Sequence, residues 1–370
     1  MDHVLVCTRC GREADAAAFR CGRCKSVLEV KYDYSTLKIP RGFKKKRITS
    51  GKYAPFMPYK RLTCSLGEGN TRLAKARIPD FEDVNLYLKM EMGNPTKTFK
   101  DRGSAVELTK AKELGFDHVC CASTGNMGLS VAHYARRAGV KATIFVSRNA
   151  NAAKIRKIRA QGARLVEIEG DFNKAMDAAE RFAMRSGAFV CGDYHYRKEG
   201  QKTVAFEIME QLRYRPHDVI FSPVGNGTLL SALYKGISEF KRSGLISAGM
   251  PKLVAVQSDG CSPLVDAYER NREVRYVTPH TEADAIAVGY PTFGFESLKA
   301  LKMTGGRAIR VSDREIEDAA RFLERKRIYV ELGGASAFAG FIKSYYGDHK
   351  LVSGKNVVVI LTGNNEGIFH

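Results

Sequence analysis

Asn94-Pro95-Thr96-Lys97-Thr98-Phe99-Lys100-Asp101-Arg102-Gly103 divides two kinds of sequence. Before it, Leu86 to Met92 (LYLKMEM) reads as a strand; after it, Ser104 to Leu114 reads as a helix. Lys100 therefore sits where a loop turns into a helix. An amine placed there can enter a cleft and lose part of its hydration. Desolvation lowers its pKa, and the neutral amine is the form that attacks a carbonyl. A lysine at such a junction is more commonly a solvated surface group, so the reading depends on three later segments.

The first is Ser123-Thr124-Gly125-Asn126-Met127-Gly128, which follows the apolar run HVCCA from His118 and opens a helix-like run from Leu129 to Arg137. Main-chain N–H groups and small hydroxyls at a helix N-terminus make an anion site, and a substrate carboxylate is a natural occupant. The same residues also read as a plain helix cap and turn. The second is Ser222-Pro223-Val224-Gly225-Asn226-Gly227-Thr228, between the strand-like Asp218 to Phe221 and the helix-like Leu229 to Phe240. Its glycines let N–H groups converge on a phosphate, although neither the P-loop nor the G-x-G-x-x-G pattern is present. The third is Val357 to Leu361 (VVVIL), a buried parallel strand by its unbroken apolar run, followed by Thr362-Gly363-Asn364-Asn365. Thr362 can cap the strand end or hold a heteroaromatic nitrogen.

A lysine, an anion loop, a phosphate loop and a hydroxyl after a buried strand are what a pyridoxal phosphate enzyme needs. In order and wording these segments resemble the threonine synthase-like enzymes of the fold type II (tryptophan synthase β-like) pyridoxal phosphate family. Further matching words are Leu66-Gly67-Glu68-Gly69-Asn70-Thr71, Arg197-Lys198-Glu199-Gly200-Gln201-Lys202-Thr203 and VELGGASA from Val330. The resemblance implies that Lys100 carries pyridoxal 5'-phosphate and that Phe99 shapes its pocket. It implies that Asn126 meets the ring hydroxyl, that Gly225, Asn226, Gly227 and Thr228 cradle the phosphate, and that Thr362 faces the ring nitrogen. A neutral hydroxyl there makes the ring a weaker electron sink, which suits elimination and replacement. Ser123 and Thr124 are expected at the substrate carboxylate. Arg197, helped by Lys97 and Lys202, is expected at a substrate phosphate, since a guanidinium fork grips a dianion.

The chain departs from the family on the substrate side. The family's Asn-Pro-Thr-Gly-Ser-Phe-Lys has Lys97 and Thr98 in place of Gly-Ser here, and Tyr194-His195-Tyr196 precedes Arg197. The terminal Thr-Gly-His-Gly reads Thr362-Gly363-Asn364-Asn365, and Thr228-Leu229 stands in the phosphate loop where Gly-Asn or similar is common.

Cys7-x-x-Cys10 and Cys21-x-x-Cys24 form two knuckles, with Gly11 and Gly22 behind them. Two such pairs complete a tetrahedral four-cysteine site for a structural Zn2+, and four protein ligands leave no open position for catalysis. Iron is the rival metal and vestigial binding the bland alternative. The other cysteines, Cys64, Cys120, Cys121, Cys191 and Cys261, read as reduced residues of a cytoplasmic protein. No targeting segment or membrane-length apolar run is apparent.

At 370 residues, 44% of them hydrophobic, the chain can bury a large core and is expected to form more than one domain. Apolar runs at 142–146, 188–191, 219–224, 253–258 and 357–361 alternate with helical patterns. The expectation is an α/β protein: two doubly wound domains with parallel sheets and a small ribbon. The expected boundaries are 1–35 for the ribbon, 36–99 with 191–370 for a large cofactor-binding domain, and 100–190 for a small mobile domain. A family-like homodimer is the default assembly.

The net charge is +20, densest at Lys44-Lys45-Lys46-Arg47. Such charge suits a phosphorylated amino acid substrate, and as a rival reading a nucleic-acid-associated, non-catalytic ribbon protein. The intact cofactor residues disfavour that rival. The leading expectation is conversion of O-phosphohomoserine and water to threonine and phosphate. The alternative within the same chemistry is β-replacement or β-elimination on O-phosphoserine, serine or threonine, as in cysteate synthase-like or dehydratase-like relatives.

Overall fold

The computed structural model describes residues 2–49, 51–123, 125–148, 152–214, 217–247 and 249–364. In chain order the strands are β1 (His3–Cys7), β2 (Glu13–Ala14), β3 (Leu28–Tyr32), β4 (Leu73–Ala76), β5 (Asn85–Met90), β6 (His118–Ser123), β7 (Lys141–Ser147), β8 (Arg164–Ile168), β9 (Phe189–Cys191), β10 (Val219–Pro223), β11 (Lys252–Ser258), β12 (Arg307–Val311) and β13 (Asn356–Leu361). The α-helices are α1 (Lys100–Glu113), α2 (Asn126–Ala138), α3 (Ala152–Arg159), α4 (Phe172–Ser186), α5 (His195–Gln201), α6 (Thr203–Gln211), α7 (Thr228–Arg242), α8 (Pro263–Glu269), α9 (Gly294–Thr304), α10 (Asp313–Arg325) and α11 (Leu332–Gly347).

The chain forms two compact units. One joins Met1–Asn70 to Lys100–Thr203; the other joins Thr71–Phe99 to Val204–His370. The change of unit at Phe99–Lys100 falls where the sequence divides. Residues 36–70 and 191–203, expected with the large domain, instead group with the first unit. The physical reason is local pairing. Cys191 closes β9, which pairs in parallel with β6, and α5 packs along α1. A Cβ on Gly200 would lie 2.0 Å from the Arg102 carbonyl oxygen, and one on Gly103 would lie 2.5 Å from Arg197 Cγ. The two glycines let the helices approach until backbone meets backbone.

The first unit holds a parallel sheet of order β8-β7-β6-β9 and an antiparallel sheet of order β2-β1-β3. Helices α2 and α4 lie on β6 and β7. The second unit holds a sheet of order β12-β11-β10-β13-β5-β4, parallel except where β4 meets β5. Strands β10 and β13 are buried from end to end apart from Asn356, which explains the unbroken apolar run Val357–Leu361 and the largely apolar β10. On one face Val219, Phe221, Val254, Val256, Val357 and Val359 pack with Ala319, Leu323, Phe338 and Phe341 of α10 and α11. The alternate residues Ile220, Leu253, Val358 and Ile360 are equally buried, with α7 and α9 packed against β10 and β11. Helix α10 starts on a capping box, Ser312 with Glu315. Among the described residues no helix is long and apolar enough to cross a membrane.

Candidate active site

In the second unit, β10 ends at Pro223 and the chain turns through Gly225–Gly227 into α7. Gly227 takes φ +78, and a Cβ there would lie 2.4 Å from Ser297 Oγ and 2.9 Å from the Phe293 carbonyl oxygen. Only glycine fits. Asn226 Oδ1 accepts from Thr292 N and Thr292 Oγ1, both at 3.1 Å, which pins the turn to the loop ahead of α9. Helix α7 has no side-chain cap at Gly227, and Thr228 is buried in its first turn. A side-chain-uncapped N-terminus on a glycine turn fits a phosphate group by its chemistry.

The loop before Lys100 is tied to the end of β13 in the same unit. Phe99 N donates to Thr362 O at 3.0 Å, Asn364 N donates to Lys97 O at 3.0 Å, and Thr98 bridges Gly363. Asn94 Nδ2 donates to the Glu91 carbonyl oxygen at 2.7 Å and to its Oε2 at 3.0 Å. Thr362 is buried, and a Cβ on Gly334 would lie 3.2 Å from its Oγ1. Lys97 is exposed and takes φ 63, a left-handed conformation. Phe99 is half-buried.

In the first unit, Lys100 is the first residue of α1. Its side chain is 19% exposed, and Nζ lies 3.9 Å from Oδ1 of Asp193, whose side chain is 2% exposed. Asn126 opens α2 and is half-buried. Ser123 Oγ accepts from Gly125 N at 2.9 Å and Gly128 N at 2.6 Å, so this hydroxyl caps the turn. Thr124 lies outside the described residues.

Arg197, expected at a substrate phosphate, is engaged here by protein groups. This guanidinium is fully buried. Nε donates to Gly192 O at 3.0 Å, one terminal nitrogen to Lys100 O at 2.9 Å, and the other to Ser104 Oγ at 3.1 Å and to the Glu107 carboxylate. Four of its five N–H groups thus meet protein acceptors. Burial pushes Glu107 up to about 7, against the pull of Arg197 and of the Gly192 N–H. Lys202 is also fully buried and donates to Glu199 and to Phe56 O. Asp193 and Glu107 are not visible as site residues from sequence. No local spacing marks them, because their partners lie far along the chain.

At the N-terminus, Cys7 Sγ lies 3.4 Å from Cys24 Sγ and Cys10 Sγ 3.6 Å from Cys21 Sγ. All four sulfur atoms fall within 4.8 Å of one another. Zinc–thiolate bonds of about 2.3 Å in a tetrahedron put sulfurs about 3.8 Å apart, whereas a disulfide needs about 2.0 Å. The cluster fits a four-thiolate metal site. Its sheet docks on α5: Tyr32 Oη donates to Glu199, Lys198 pairs with Glu29 at 2.8 Å, and Tyr196 Oη donates to Ala16 O at 2.9 Å.

Residues 64–363 match the family described as pyridoxal-phosphate dependent enzyme. The chain belongs to this family. Members similar to it include the threonine synthase of Methanocaldococcus jannaschii, 35% identical over 97% of this chain and 91% of that one. The threonine synthase of Methanosarcina acetivorans is 36% identical over 92% of this chain and 86% of the other. A fungal L-serine ammonia-lyase from Rhizomucor miehei superposes with a TM-score of 0.71 at 24% identity, covering 80% of this chain and 94% of its own. That likeness speaks to the fold. The pyridoxal-phosphate dependent family is thus shown by sequence, and the two parallel α/β sheets are those of its fold type II.

Proposed function

We propose that this enzyme is a threonine synthase, converting O-phosphohomoserine and water to threonine and phosphate. The observation that carries the reading is the match to threonine synthases along nearly the whole chain, with Lys100 presented half-buried at the start of α1. When bound, pyridoxal 5'-phosphate supplies an electron sink for charge developing on the substrate's carbon frame. In this reading the turn Gly225-Asn226-Gly227-Thr228 holds the cofactor phosphate, Thr362 meets the ring nitrogen, Asn126 meets the ring hydroxyl, and Phe99, next to Lys100, shapes the cofactor's pocket. The Lys100 amine takes the Cα proton and moves a proton at Cβ. The main chain around Ser123, with Thr124, holds the substrate carboxylate. Lys97, exposed ahead of Lys100, is assigned to the leaving phosphate. A structural Zn2+ in the cysteine cluster, a homodimer and a cytoplasmic location belong to the same reading.

Borohydride reduction of the cofactor-loaded protein followed by peptide mapping tests the core of it. The label is expected on Lys100; a label elsewhere, or none, overturns the reading. Threonine and phosphate must then appear from O-phosphohomoserine faster than any product from O-phosphoserine.

One observation favours a second reading. Arg197 is engaged by protein groups and a carboxylate, Asp193, lies beside Lys100, an arrangement that suits a less anionic substrate. β-Elimination on serine or threonine would release ammonia without phosphate, and the same product screen separates the two.

A further inference from the structure

We propose that Asp193 is the counter-ion of the Lys100 amine and stabilises the ammonium that forms when this lysine carries a proton in turnover. The proposal rests on the reading of Lys100 given above. The carboxylate oxygen lies 3.9 Å from Nζ, and the two side chains differ in access, 2% exposed for Asp193 and 19% for Lys100. The carboxylate therefore faces the amine from the protein side. A buried carboxylate is costly without a cation in reach, and this one sits beside the amine that does the chemistry.

The surroundings hold this pair in place. Gly192, immediately before Asp193, takes φ +133. Its N–H donates to Glu107 Oε1 at 2.7 Å, and its carbonyl accepts from Arg197 Nε at 3.0 Å. The same guanidinium donates to the Lys100 carbonyl oxygen at 2.9 Å. One rigid plane thus fixes the main chain on both sides of the ion pair. Arg197 and Glu107 act through others and are positioning residues.

The charge balance follows from what packs around Asp193. Glu107 of α1, Arg197 of α5 and Cys121 of β6 face it, and Cys191 of β9 in turn faces Glu107, Arg197 and Cys121. Burial pushes both thiols up, so they stay neutral. Arg197 faces both Glu107 and Asp193, and the Asp193 carboxylate, 3.9 Å from the amine, adds negative charge that favours the protonated form. When Nζ takes a proton from a substrate carbon, the bonding electrons stay with the carbon frame, and the new ammonium is stabilised by Asp193. The same proton is then returned to the substrate.

The test measures the amine itself. Lys100 in the cofactor-free protein is acetylated with acetic anhydride across a pH series, and its peptide is quantified by mass spectrometry. Asp193→Asn is expected to lower the titration midpoint by about one pH unit or more, and Asp193→Glu to restore it. In the loaded enzyme, the pH midpoint of the visible absorbance should move the same way, with kcat reduced and KM little changed. Asp193→Ser carries the same expectation if the Asn variant does not fold. A midpoint in the Asn or Ser variant that coincides with wild type overturns the proposal, as does a Glu variant that behaves like Asn. If borohydride labels Lys100 and these midpoints do not move, only this inference fails. If Lys100 takes no label, the functional reading itself fails.

Discussion

The turn Gly225–Thr228 and the segment Gly192–Thr203 both run from a strand into a helix, and both carry family wording. They differ in what their polar groups do. The first is a main-chain turn, shaped by Gly227 at φ +78, which the proposed reading assigns to an anion. The second turns its charged side chains inward: Arg197 to Glu107, Lys202 to Glu199, Lys198 to Glu29. A site made of backbone is fixed by a few local residues. A site made of side chains depends on what lies opposite them in space, and motif wording does not report that.

The largest expected effect breaks the second region. Arg197→Ala leaves Glu107 buried without its cation and should cost about 3–5 kcal/mol of stability, read as a shift in the urea midpoint. Replacing Arg197 and Glu107 together by apolar residues of similar volume should recover much of it. If Arg197→Ala instead raises the substrate KM at unchanged stability, Arg197 is a substrate ligand and the contrast between the regions disappears. Gly200→Ala belongs to the same class, since its Cβ would strike the Arg102 carbonyl at 2.0 Å. It should prevent α1 and α5 from packing and yield little soluble protein.

Next comes the first region. Gly227→Ala demands a left-handed alanine and pushes on the Phe293 carbonyl at 2.9 Å. A stability loss of about 1–3 kcal/mol is expected, together with weaker retention of pyridoxal phosphate during dialysis. Arg197→Lys, by contrast, should leave cofactor retention near wild type. Equal loss of cofactor in both variants would mean that the regions do not divide cofactor from scaffold.

These two regions also explain how much is legible in the sequence. Unbroken apolar runs locate β10, β11 and β13, because strands buried on both faces have no polar side to interrupt them. Helical runs are legible from Ser104, Leu129 and Leu229. Helices α1, α2 and α7 begin earlier, at Lys100, Asn126 and Thr228, because the residues that open them are largely polar or glycine and carry no apolar period. The partner of Arg197 is not, since Glu107 is 90 residues away and nothing in its helix distinguishes it. Nor is the grouping of 36–70 with the first unit, which depends on contacts such as Lys202 Nζ to Phe56 O at 2.6 Å. The ribbon is readable from cysteine spacing alone, but its docking on α5 through Tyr32 and Glu29 is a matter of three-dimensional contact.

That docking gives a smaller, testable effect. The purified protein should carry one zinc per chain, and a strong chelator should lower its melting temperature by several degrees. Limited proteolysis should then open α5, held by the ribbon at Tyr196 and Lys198, ahead of the Gly225–Thr228 turn. Simultaneous cleavage of both would show that the ribbon supports the whole chain rather than the first unit alone.

The smallest effect concerns Lys97. Where the resembling sequences read glycine, here a lysine adopts φ 63, and Asn364 N reaches its carbonyl at 3.0 Å. A non-glycine residue in this conformation is strained by about 1–2 kcal/mol, while glycine gives back about 0.5–1 kcal/mol through the entropy of the unfolded chain. Lys97→Gly should therefore raise stability by at most about 1.5 kcal/mol. If the lysine is retained for its charge at the leaving phosphate, the same variant should raise KM for O-phosphohomoserine severalfold while KM for serine stays unchanged. A variant that is more stable and unaltered toward both substrates would remove Lys97 from the site and leave its strain without a function.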